Sequence, residues 1–375
     1  MPVTIEISPR VTSDITSMCS QGVLPGRAIS DSASFNRSDF FAWDPIPKAA
    51  TFGSRMQDPD FKTINSPTIS LAIASNAIIA GSDGVVINDG AAIADTIAHI
   101  SFWLDESLVK EIKSSISVEF KRRLEISKKL NGRYFVGYSG SFRNYAHWMN
   151  ETLPKLYVYK MEKQKDPDLI LLMPPLGRFQ RQTLSIMGID MEDVATVDHC
   201  EVVQVESALI MSGIDIWTIP PLLIEAASSL RSAVVSCDTE FNPDRRIYIH
   251  RSGGVRNVSN FEEIKGVIEA YGFDIVDFET MSISDQIVTM YGAKHVVGEH
   301  GAGLINILFM KPGGTVLEIF NSGCAQPAFW SVASARRLNF GYIVGSSDNG
   351  DDWNSSYAVN PERLRNAIEA QISVA

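Results

Sequence analysis

Short apolar runs alternate with amphipathic stretches over the last two thirds of the chain, and this pattern predicts strands followed by helices. The first series runs from an apolar segment at residues 134–138 to a helical segment at 222–235. A second series begins at residues 246–250, after the polar segment 238–244. Repeated strand–helix units are typical of parallel sheets with helices on both faces. The pattern therefore predicts an α/β protein with two doubly wound, Rossmann-like domains that face a cleft.

The first third of the chain follows other patterns. Residues 1–65 are rich in Ser, Asp, Pro and Gly, which predicts an irregular arm with one or two short elements. Residues 68–95 contain short apolar runs of β type around an Asp89-Gly90 turn, which predicts a β-meander. The charged stretch 105–130 is predicted to be a helix with a solvated basic face.

These patterns divide the chain near residue 237. We predict an N-terminal domain over residues 1–237, with its α/β part at 133–237, and a C-terminal domain over residues 238–375. The last element is a predicted helix over residues 361–371, which starts with a proline in its first turn.

Composition restricts the classes of function. The chain has 375 residues, of which 45% are hydrophobic and 21% are charged, as in a globular protein with a substantial core. Its 33 basic and 44 acidic residues give a net charge of −11, so we assign neither nucleic acid nor anionic lipid as a partner. The cysteines are too scattered for a zinc site and are expected to be reduced thiols: Cys19, Cys200, Cys237 and Cys324. No apolar run approaches the roughly eighteen residues of a transmembrane helix, and the N-terminus has no secretory pattern.

Residues 296–320 carry the densest chemical signal in the chain. They predict an apolar strand, a small-residue turn, a short helix and a second apolar strand. The turn would let a ligand approach the backbone closely, and the start of the helix suits a phosphate. Glu299 and His300 precede this turn and Glu318 ends the next strand, so polar groups gather at the carboxyl edge of a parallel sheet. The alternative is a tight turn whose glycines serve packing only. The turn residues are Gly301, Ala302 and Gly303.

As a whole, this segment resembles the C-terminal signature of glycosyltransferase family 61. The matching positions are Gly298, residues 300–304, Asn306, Phe309, Met310, Pro312, Gly313, Val316, Glu318 and Phe320. Residues 144–154 resemble the family's Asn-x-x-His-Trp-x-x-Glu-x-Leu-Pro block, and residues 246–251 resemble its Arg-Ile-Tyr-Ile-x-Arg strand. The matches occur in the right order over residues 133–320, and the chain is similar to bacterial-type members that act in capsular polysaccharide synthesis.

The resemblance implies the two-domain glycosyltransferase-B architecture, with the acceptor side in the N-terminal domain and the sugar-nucleotide site in the C-terminal domain. In that architecture the last helix commonly crosses back to the first domain, as residues 361–371 could do. The implied reaction is an inverting transfer of a sugar from a nucleotide-sugar donor, expected to be a UDP-sugar, to a hydroxyl of a glycan or protein acceptor. A sugar-nucleotide epimerase on the same scaffold and a non-catalytic sugar-nucleotide-binding protein are the alternatives.

Family members in animals and plants usually carry a secretory anchor, and this sequence shows no pattern that predicts one. We therefore expect a cytoplasmic enzyme, free or peripheral to the inner face of the membrane, or a chain from which an anchor was removed. No pattern in the sequence predicts an oligomeric state.

The departing diphosphate requires cations and hydrogen-bond donors. Arg251 ends a predicted strand, and its guanidinium can bind a phosphate through two parallel hydrogen bonds. Arg256 follows in a glycine-containing loop that could fold over the same site. His300 could donate to a phosphate oxygen, and Glu318 could accept from both hydroxyls of a ribose. The alternatives are surface arginines, a packed histidine and a carboxylate that caps a turn.

The acceptor hydroxyl requires a base. His147 and Glu151 are four residues apart in a predicted helix and therefore share a face. We favour Glu151 as the base, with His147 as its partner or as a phosphate ligand, and the family resemblance supports an acidic residue at that position. A His–Glu pair that only joins a helix to the sheet is the alternative. Asn144 is expected to cap this helix and Trp148 to lie in the core.

No metal ion or other cofactor is expected. The segment most similar to a metal-binding Asp-x-Asp motif is residues 348–352, which lie in a polar loop and are interpreted as a solvated turn. Glycosyltransferase-B enzymes in general work without a metal. If neither His147 nor Glu151 is the base, the acidic residues of the meander are the next candidates: Asp83, Asp89 and Asp95.

Overall fold

A computed structural model describes residues 3–5, 14–37, 40–42, 63–81, 84–96, 124–214, 218–236, 242–350 and 352–373. The chain forms two compact units. The first unit comprises Met1–Ala33, Ser66–Ile216 and Pro220–Ala226, and the second comprises Ser34–Asn65, Trp217–Ile219 and Ala227–Ala375.

The secondary structure within the described residues is a mixture of strands and helices, as the sequence pattern predicts. The strands are β1 (Val3–Ile5), β2 (Gly26–Ser30), β3 (Ala33–Asn36), β4 (Phe40–Ala42), β5 (Thr63–Ser66), β6 (Ile69–Ser75), β7 (Ile78–Ala80), β8 (Val85–Asn88), β9 (Ala91–Ala92), β10 (Leu124–Ile126), β11 (Lys128–Val136), β12 (Ile170–Met173), β13 (Val194–Thr196), β14 (Val202–Met211), β15 (Arg245–Ile249), β16 (Phe273–Val276), β17 (Ala293–Glu299), β18 (Thr315–Asn321), β19 (Asn339–Ser347) and β20 (Tyr357–Ala358). The α-helices are α1 (Ile15–Ser20), α2 (Tyr145–His147), α3 (Leu153–Lys165), α4 (Arg178–Ile186), α5 (Pro221–Ser232), α6 (Phe261–Ala270), α7 (Ile283–Gly292), α8 (Ala328–Ala335) and α9 (Pro361–Ser373). A π-helical turn covers Trp148–Thr152, and 3₁₀ helices cover Met191–Asp193 and Ala302–Phe309.

The sheet of the first unit has nine strands, with β13, β12, β11, β14, β7, β8 and β9 in that order and with β6 and β2 attached beside β14. Its strands β11 to β14 are parallel where they pair, whereas β6 and β7 run antiparallel to β14. Taken in chain order, the four parallel strands lie in the arrangement 3-2-1-4 of a Rossmann sheet. The strand order therefore reverses between β11 and β14.

The short strands predicted over residues 68–95 are confirmed, and they extend the parallel sheet of this unit. The Asp-Gly turn joins β8 to β9, with φ angles of 48° at Asp89 and 76° at Gly90. These left-handed values match a two-residue hairpin turn whose twist suits the strands. The arm predicted as irregular contains α1 and several strands, so it has more regular structure than expected.

The prediction of a helix over residues 105–130 is wrong for residues 124–130. Residues 105–123 lie outside the residues that the structure describes. Residues 124–130 form β10 and the start of β11. Leu124 and Ile126 alternate with polar residues, and β10 pairs with β1 through Val3 and Ile126. Strand pairing with a distant segment thus outweighs the helical preference of the charged residues.

The sheet of the second unit has seven strands, with β16, β15, β17, β18, β19 and β20 in that order and β4 beside β19. Strands β15 to β19 and β4 are parallel, and β20 is antiparallel to β19. In chain order the five consecutive strands lie as 2-1-3-4-5, the arrangement of a flavodoxin-like doubly wound sheet. The order reverses between β15 and β17, so this edge is where such a sheet binds ligands.

Two helices of the second unit begin at residues that favour a helix start, a serine cap and a proline in the first turn. The Ser282 hydroxyl accepts a hydrogen bond from the Asp285 N–H at 3.1 Å and caps α7. Helix α9 begins at Pro361 as predicted, and it packs on α6, β18 and β19 of its own unit. Within the described part of the chain, no helix is long and apolar enough to cross a membrane.

Candidate active site

The first candidate centre lies on the helical segment that begins at Tyr145. Asn144 caps it, as predicted, by accepting a hydrogen bond from the Ala146 N–H at 2.9 Å. The helix widens into the π turn Trp148–Thr152 before α3. Pro154 lies two residues after this turn, and since proline has no N–H it cannot donate the regular α-helical hydrogen bond. A π turn inside a helix is frequently found at a functional site.

His147 and Glu151 form a buried pair in this turn. His147 Nδ1 lies 2.6 Å from Glu151 Oε1, and the Ser139 hydroxyl donates to Glu151 Oε2 at 2.8 Å. Glu151 is 1% exposed and His147 is 4% exposed. Trp148 points away into the core, where its indole N–H donates to the Thr183 hydroxyl at 3.2 Å. The pair predicted from the four-residue spacing is thus formed.

A cavity of about 100 Å³ lies beside this pair in the first unit. Val136 and Ser139 line it from the carboxyl end of β11, and Met211 and Gly213 line it from the carboxyl end of β14. These are the two strands between which the strand order reverses. Glu151 is among the lining residues, whereas His147 is not. The carboxylate is therefore the member of the pair that faces a place where a substrate can bind.

Two further charged residues line this cavity, Lys155 and Asp95. Lys155 donates to the Tyr138 carbonyl at 2.9 Å, and the carboxylate of Asp95 accepts from the backbone N–H groups of Ile15 and Gly213. Burial lowers the pKa of Lys155 to about 8, although both Glu151 and Asp95 oppose this shift. Burial raises the pKa of Asp95. The ammonium group is thus attracted to both carboxylates at the cavity wall.

Sequence analysis did not identify Lys155, although a signal was present. His147, Glu151 and Lys155 follow one another at intervals of four residues, which places them along one face of a helix. Among the alternative bases, Asp95 lines the same cavity, Asp89 is exposed in the hairpin turn, and Asp83 lies outside the described residues.

The second candidate centre lies at the carboxyl edge of the sheet in the second unit, around Arg251 and Gly301. A Cβ atom added to Gly301 would lie 1.8 Å from Nη1 of Arg251. The guanidinium thus occupies the space beside the turn, and Arg251 Nη2 also donates to the Val255 carbonyl at 3.0 Å. Its Nε is buried without a hydrogen-bond partner among the described residues. The turn predicted to admit a phosphate is therefore in contact with the predicted phosphate-binding arginine.

Arg256 is held over the same region in an unusual conformation. Its φ angle is 65°, in the left-handed region that a residue with a side chain adopts at a cost of order 1–3 kcal/mol. Its guanidinium stacks 5.2 Å from the Trp353 ring centroid, and its N–H donates to the Asn354 carbonyl at 3.2 Å. Burial lowers the pKa of Arg256, with the Arg251 charge acting in the same direction. Strained residues of this kind cluster at ligand sites.

His300 and Glu318 form a second buried pair, with Nδ1 of His300 2.5 Å from Oε1 of Glu318. Burial, Arg256 and Arg251 lower the pKa of His300 well below its usual value, and burial raises that of Glu318. Burial and the two neighbouring guanidinium charges thus both disfavour a positively charged His300 ring. Glu318 is fully buried, and β18 continues past it to Asn321. Direct contact of Glu318 with a ribose stays a prediction.

A third pair joins Glu299, which the sequence places at this edge, to His250, which sequence analysis did not assign to the site. His250 Nδ1 lies 2.7 Å from Glu299 Oε1. The position of His250 in the sequence could have indicated this pair, because His250 directly precedes Arg251 and Glu299 directly precedes His300.

The short helix predicted after the turn that follows β17 is confirmed, and it is a 3₁₀ helix. This helix begins at Ala302, and a Cβ on Gly303 would lie 3.3 Å from the Phe278 ring. Asn306 donates to the side-chain carbonyl of Gln286 at 2.8 Å, which joins this helix to α7.

The polar loop at residues 348–352 forms turns where it is described. The Asp352 carboxylate accepts from the Asn354 N–H at 2.9 Å, and Asp348 accepts from the Ser259 hydroxyl at 3.4 Å. Across the residues that the structure describes, no group of three or more His, Cys, Asp or Glu side chains is arranged to hold a metal ion.

Residues 145–317 match the family model described as Glycosyltransferase 61. The matched segment includes His147, Glu151, Arg251, Arg256 and His300, and it ends one residue before Glu318. No curated protein is significantly similar to the chain.

Proposed function

We propose that this chain, a glycosyltransferase by its family 61 domain, moves a sugar from a nucleotide-sugar donor to a hydroxyl of a glycan or protein acceptor. The proposed donor is a UDP-sugar, and the transfer inverts the anomeric configuration and requires no metal ion. The observation that carries most weight is the buried Glu151 carboxylate, held by His147 and Ser139 at the wall of a cavity. A carboxylate held in this way is arranged to take a proton from a bound hydroxyl.

In the proposed reaction, Glu151 accepts the proton of the acceptor hydroxyl while the acceptor oxygen attacks the anomeric carbon of the donor. The bond from that carbon to the phosphate oxygen breaks, and the electron pair leaves with the nucleoside diphosphate. His147 holds one carboxylate oxygen, and the Lys155 ammonium is attracted to the ionised form of Glu151. Both interactions keep the carboxylate oriented and charged before it accepts the proton.

The donor diphosphate is proposed to bind at the carboxyl edge between β15 and β17. Arg251 and Arg256 supply positive charge, and His300 supplies a hydrogen bond. Gly301, Ala302 and Gly303 form the turn that the diphosphate approaches. As the phosphate oxygen gains charge in the transition state, two guanidinium groups already in place stabilise it without further movement.

The proposal extends to architecture and location. We propose a glycosyltransferase-B enzyme in which the first unit forms the acceptor side and the second unit, which includes residues 238–375, forms the donor side. We also propose that it acts in the cytoplasm, free or peripheral to the inner face of the membrane.

A panel of nucleoside diphosphates and sugar nucleotides, screened for thermal stabilisation of the protein, tests the donor class. A ligand that binds only the folded state raises stability with the logarithm of its concentration over Kd. A stabilising sugar nucleotide is then incubated with glycan acceptors, and the new anomeric configuration is read by NMR. Transfer with inversion is expected. Retention of configuration contradicts the proposed mechanism, and conversion of the donor to an epimer without transfer contradicts the proposed function.

A further inference from the structure

His250 lies at the point where the strand order of the second unit reverses. It directly follows β15, and its partner Glu299 is the last residue of β17. These two strands are neighbours in the sheet, with Ile249 opposite Gly298. Ligands of doubly wound sheets bind outside the carboxyl ends of the strands at such a point. The His250–Glu299 pair therefore lies at the place where this fold binds its ligand.

Several contacts hold the imidazole of His250 in one orientation. Glu299 is 1% exposed, and its Oε1 accepts from the Tyr248 hydroxyl at 3.1 Å in addition to its contact with Nδ1 of His250. One face of the imidazole stacks on Phe261, with centroids 3.9 Å apart and an interplanar angle of 19°. The ring is thus fixed at one nitrogen and one face.

The remaining nitrogen is left for a ligand. The side chain of His250 is 20% exposed, and none of the described residues hydrogen-bonds its Nε2. Oε2 of Glu299 is also buried and lacks a hydrogen-bond partner among the residues described. A surface histidine needs no buried carboxylate to hold it, so the arrangement is typical of an imidazole that is oriented toward a substrate.

We propose that Nε2 of His250 donates a hydrogen bond to a phosphate of the donor diphosphate, and that Glu299 is the positioning residue that orients it. This assignment deepens the proposed function and rests on it. Nδ1 is bound to the Glu299 carboxylate, so Nε2 is the nitrogen that faces outward, and in the doubly protonated ring it donates to an anionic oxygen. Because Arg251 follows His250 and contacts the turn after β17, one phosphate group at this edge is placed to meet both side chains.

The test measures UDP binding with two substitutions of His250, one that keeps a group near Nδ1 and one that keeps a group near Nε2. His250→Asn keeps an N–H near the position of Nδ1, which can still donate to Glu299, and removes the group at Nε2. His250→Gln places an amide near Nε2. By calorimetry, His250→Asn should bind UDP at least tenfold more weakly than the unaltered protein, and His250→Gln should recover part of that loss. His199→Gln, at an exposed histidine of the first unit, is the matched control and should bind UDP normally.

Binding of uridine tests whether His250 contacts the phosphate, and the double variant His250→Asn/Glu299→Gln tests whether Glu299 acts through His250. His250→Asn should leave uridine binding unchanged, because the lost contact is to phosphate; an equal loss for uridine contradicts the phosphate assignment. Glu299→Gln should weaken UDP binding in the unaltered protein but have little further effect in His250→Asn. An effect of the same size in both backgrounds contradicts the positioning role of Glu299.

A measurement on the unaltered protein removes any dependence on the folding of the variants. Saturating UDP should slow carbethoxylation of His250 by diethyl pyrocarbonate, measured by mass spectrometry, and leave that of His199 unchanged. If UDP binds, yet His250 is not protected and His250→Asn has normal affinity, this assignment is wrong and the proposed function stands. If no nucleoside diphosphate or sugar nucleotide binds the unaltered protein, the proposed function itself is wrong.

Discussion

The guanidinium of Arg251 occupies the space that a side chain at position 301 would fill. A Cβ on Gly301 would lie 1.8 Å from Nη1 of Arg251 and 2.9 Å from its Cζ. The φ angle of Gly301 is 175°, which any residue can adopt, so the backbone itself does not require glycine. A side chain at this position would therefore displace the guanidinium of Arg251.

Replacing either Arg251 or Gly301 should therefore weaken UDP binding. Arg251→Ala should weaken UDP binding by about 1.5–3 kcal/mol, the scale of charge-assisted hydrogen bonds. Gly301→Ala should lower the affinity comparably, because the new methyl group displaces the guanidinium. The double variant should bind no more weakly than the worse single variant. Calorimetry with UDP measures all three.

Gly266→Ala in α6 is the matched control, since a Cβ there meets no other atom within 4 Å. It should bind UDP normally. Unchanged affinity in Arg251→Ala would show that Arg251 is not the phosphate ligand. Additive losses would show that Gly301 acts independently of the arginine.

Arg256→Gly should weaken UDP binding while leaving the free energy of unfolding nearly unchanged. Glycine adopts the 65° φ angle of Arg256 without strain, which offsets the lost contact with Trp353, so the free energy of unfolding should change by less than about 1 kcal/mol. UDP affinity should fall at least about tenfold, because a cation at the phosphate is lost. The control is Arg337→Gly, an exposed arginine with a φ angle of 56° that should keep normal affinity. Equal UDP affinity in both variants would remove Arg256 from the donor site.

The transfer rate should depend on the charge of Lys155. Burial lowers its pKa to about 8, so the ammonium beside Glu151 is lost as the pH rises above that value. The rate should fall above about pH 8, whereas Lys155→Met should be slower at neutral pH and lack this fall. A pH–rate profile of the two proteins checks the prediction. If the rate of Lys155→Met also falls above pH 8, the fall is caused by the titration of another group.

The same shift predicts a change in stability with the opposite trend. Between about pH 8 and the usual lysine pKa of 10.5, the unfolded chain holds a proton that folded Lys155 has lost. The contribution of Lys155 to the free energy of unfolding should therefore rise with pH across that window. Denaturant titrations of the unaltered protein and Lys155→Met measure this difference.

Transfer should continue after metal removal. Charge stabilisation is assigned to Arg251 and Arg256, and the Asp352 carboxylate is engaged in its own loop. The initial rate in excess chelator should stay near its starting value. A lost rate that manganese or magnesium restores would contradict metal independence and bring Asp351 and Asp352 into the site.

Local patterns in the sequence predicted much of the secondary structure and the His147–Glu151 pair, because both depend on neighbours a few residues away. Helix α9 begins at Pro361, as the proline predicts, and the Asp89-Gly90 turn forms as its residues favour.

Features that depend on distant pairing could not be predicted in the same way. The meander strands join the parallel sheet because β14 accepts antiparallel partners along its other edge. His250 meets Glu299 only because β15 and β17 are neighbours, although 49 residues separate them. Strand alternation likewise gives no sign that Glu318 would be fully buried on His300.

The most direct test of the proposed transfer is a single-turnover comparison of the unaltered protein with Glu151→Gln. Glutamine keeps the size and part of the hydrogen bonding of Glu151 but cannot accept the acceptor proton. Glu151→Gln should bind donor normally and transfer sugar at least about a hundredfold more slowly. His147→Ala should be slowed less, and Glu225→Gln, at an exposed position on α5, should be unaffected. Near-normal transfer by Glu151→Gln would contradict the account: an inactive His147→Ala would then make His147 the base, and an active one would shift the assignment to Asp95 in the same cavity.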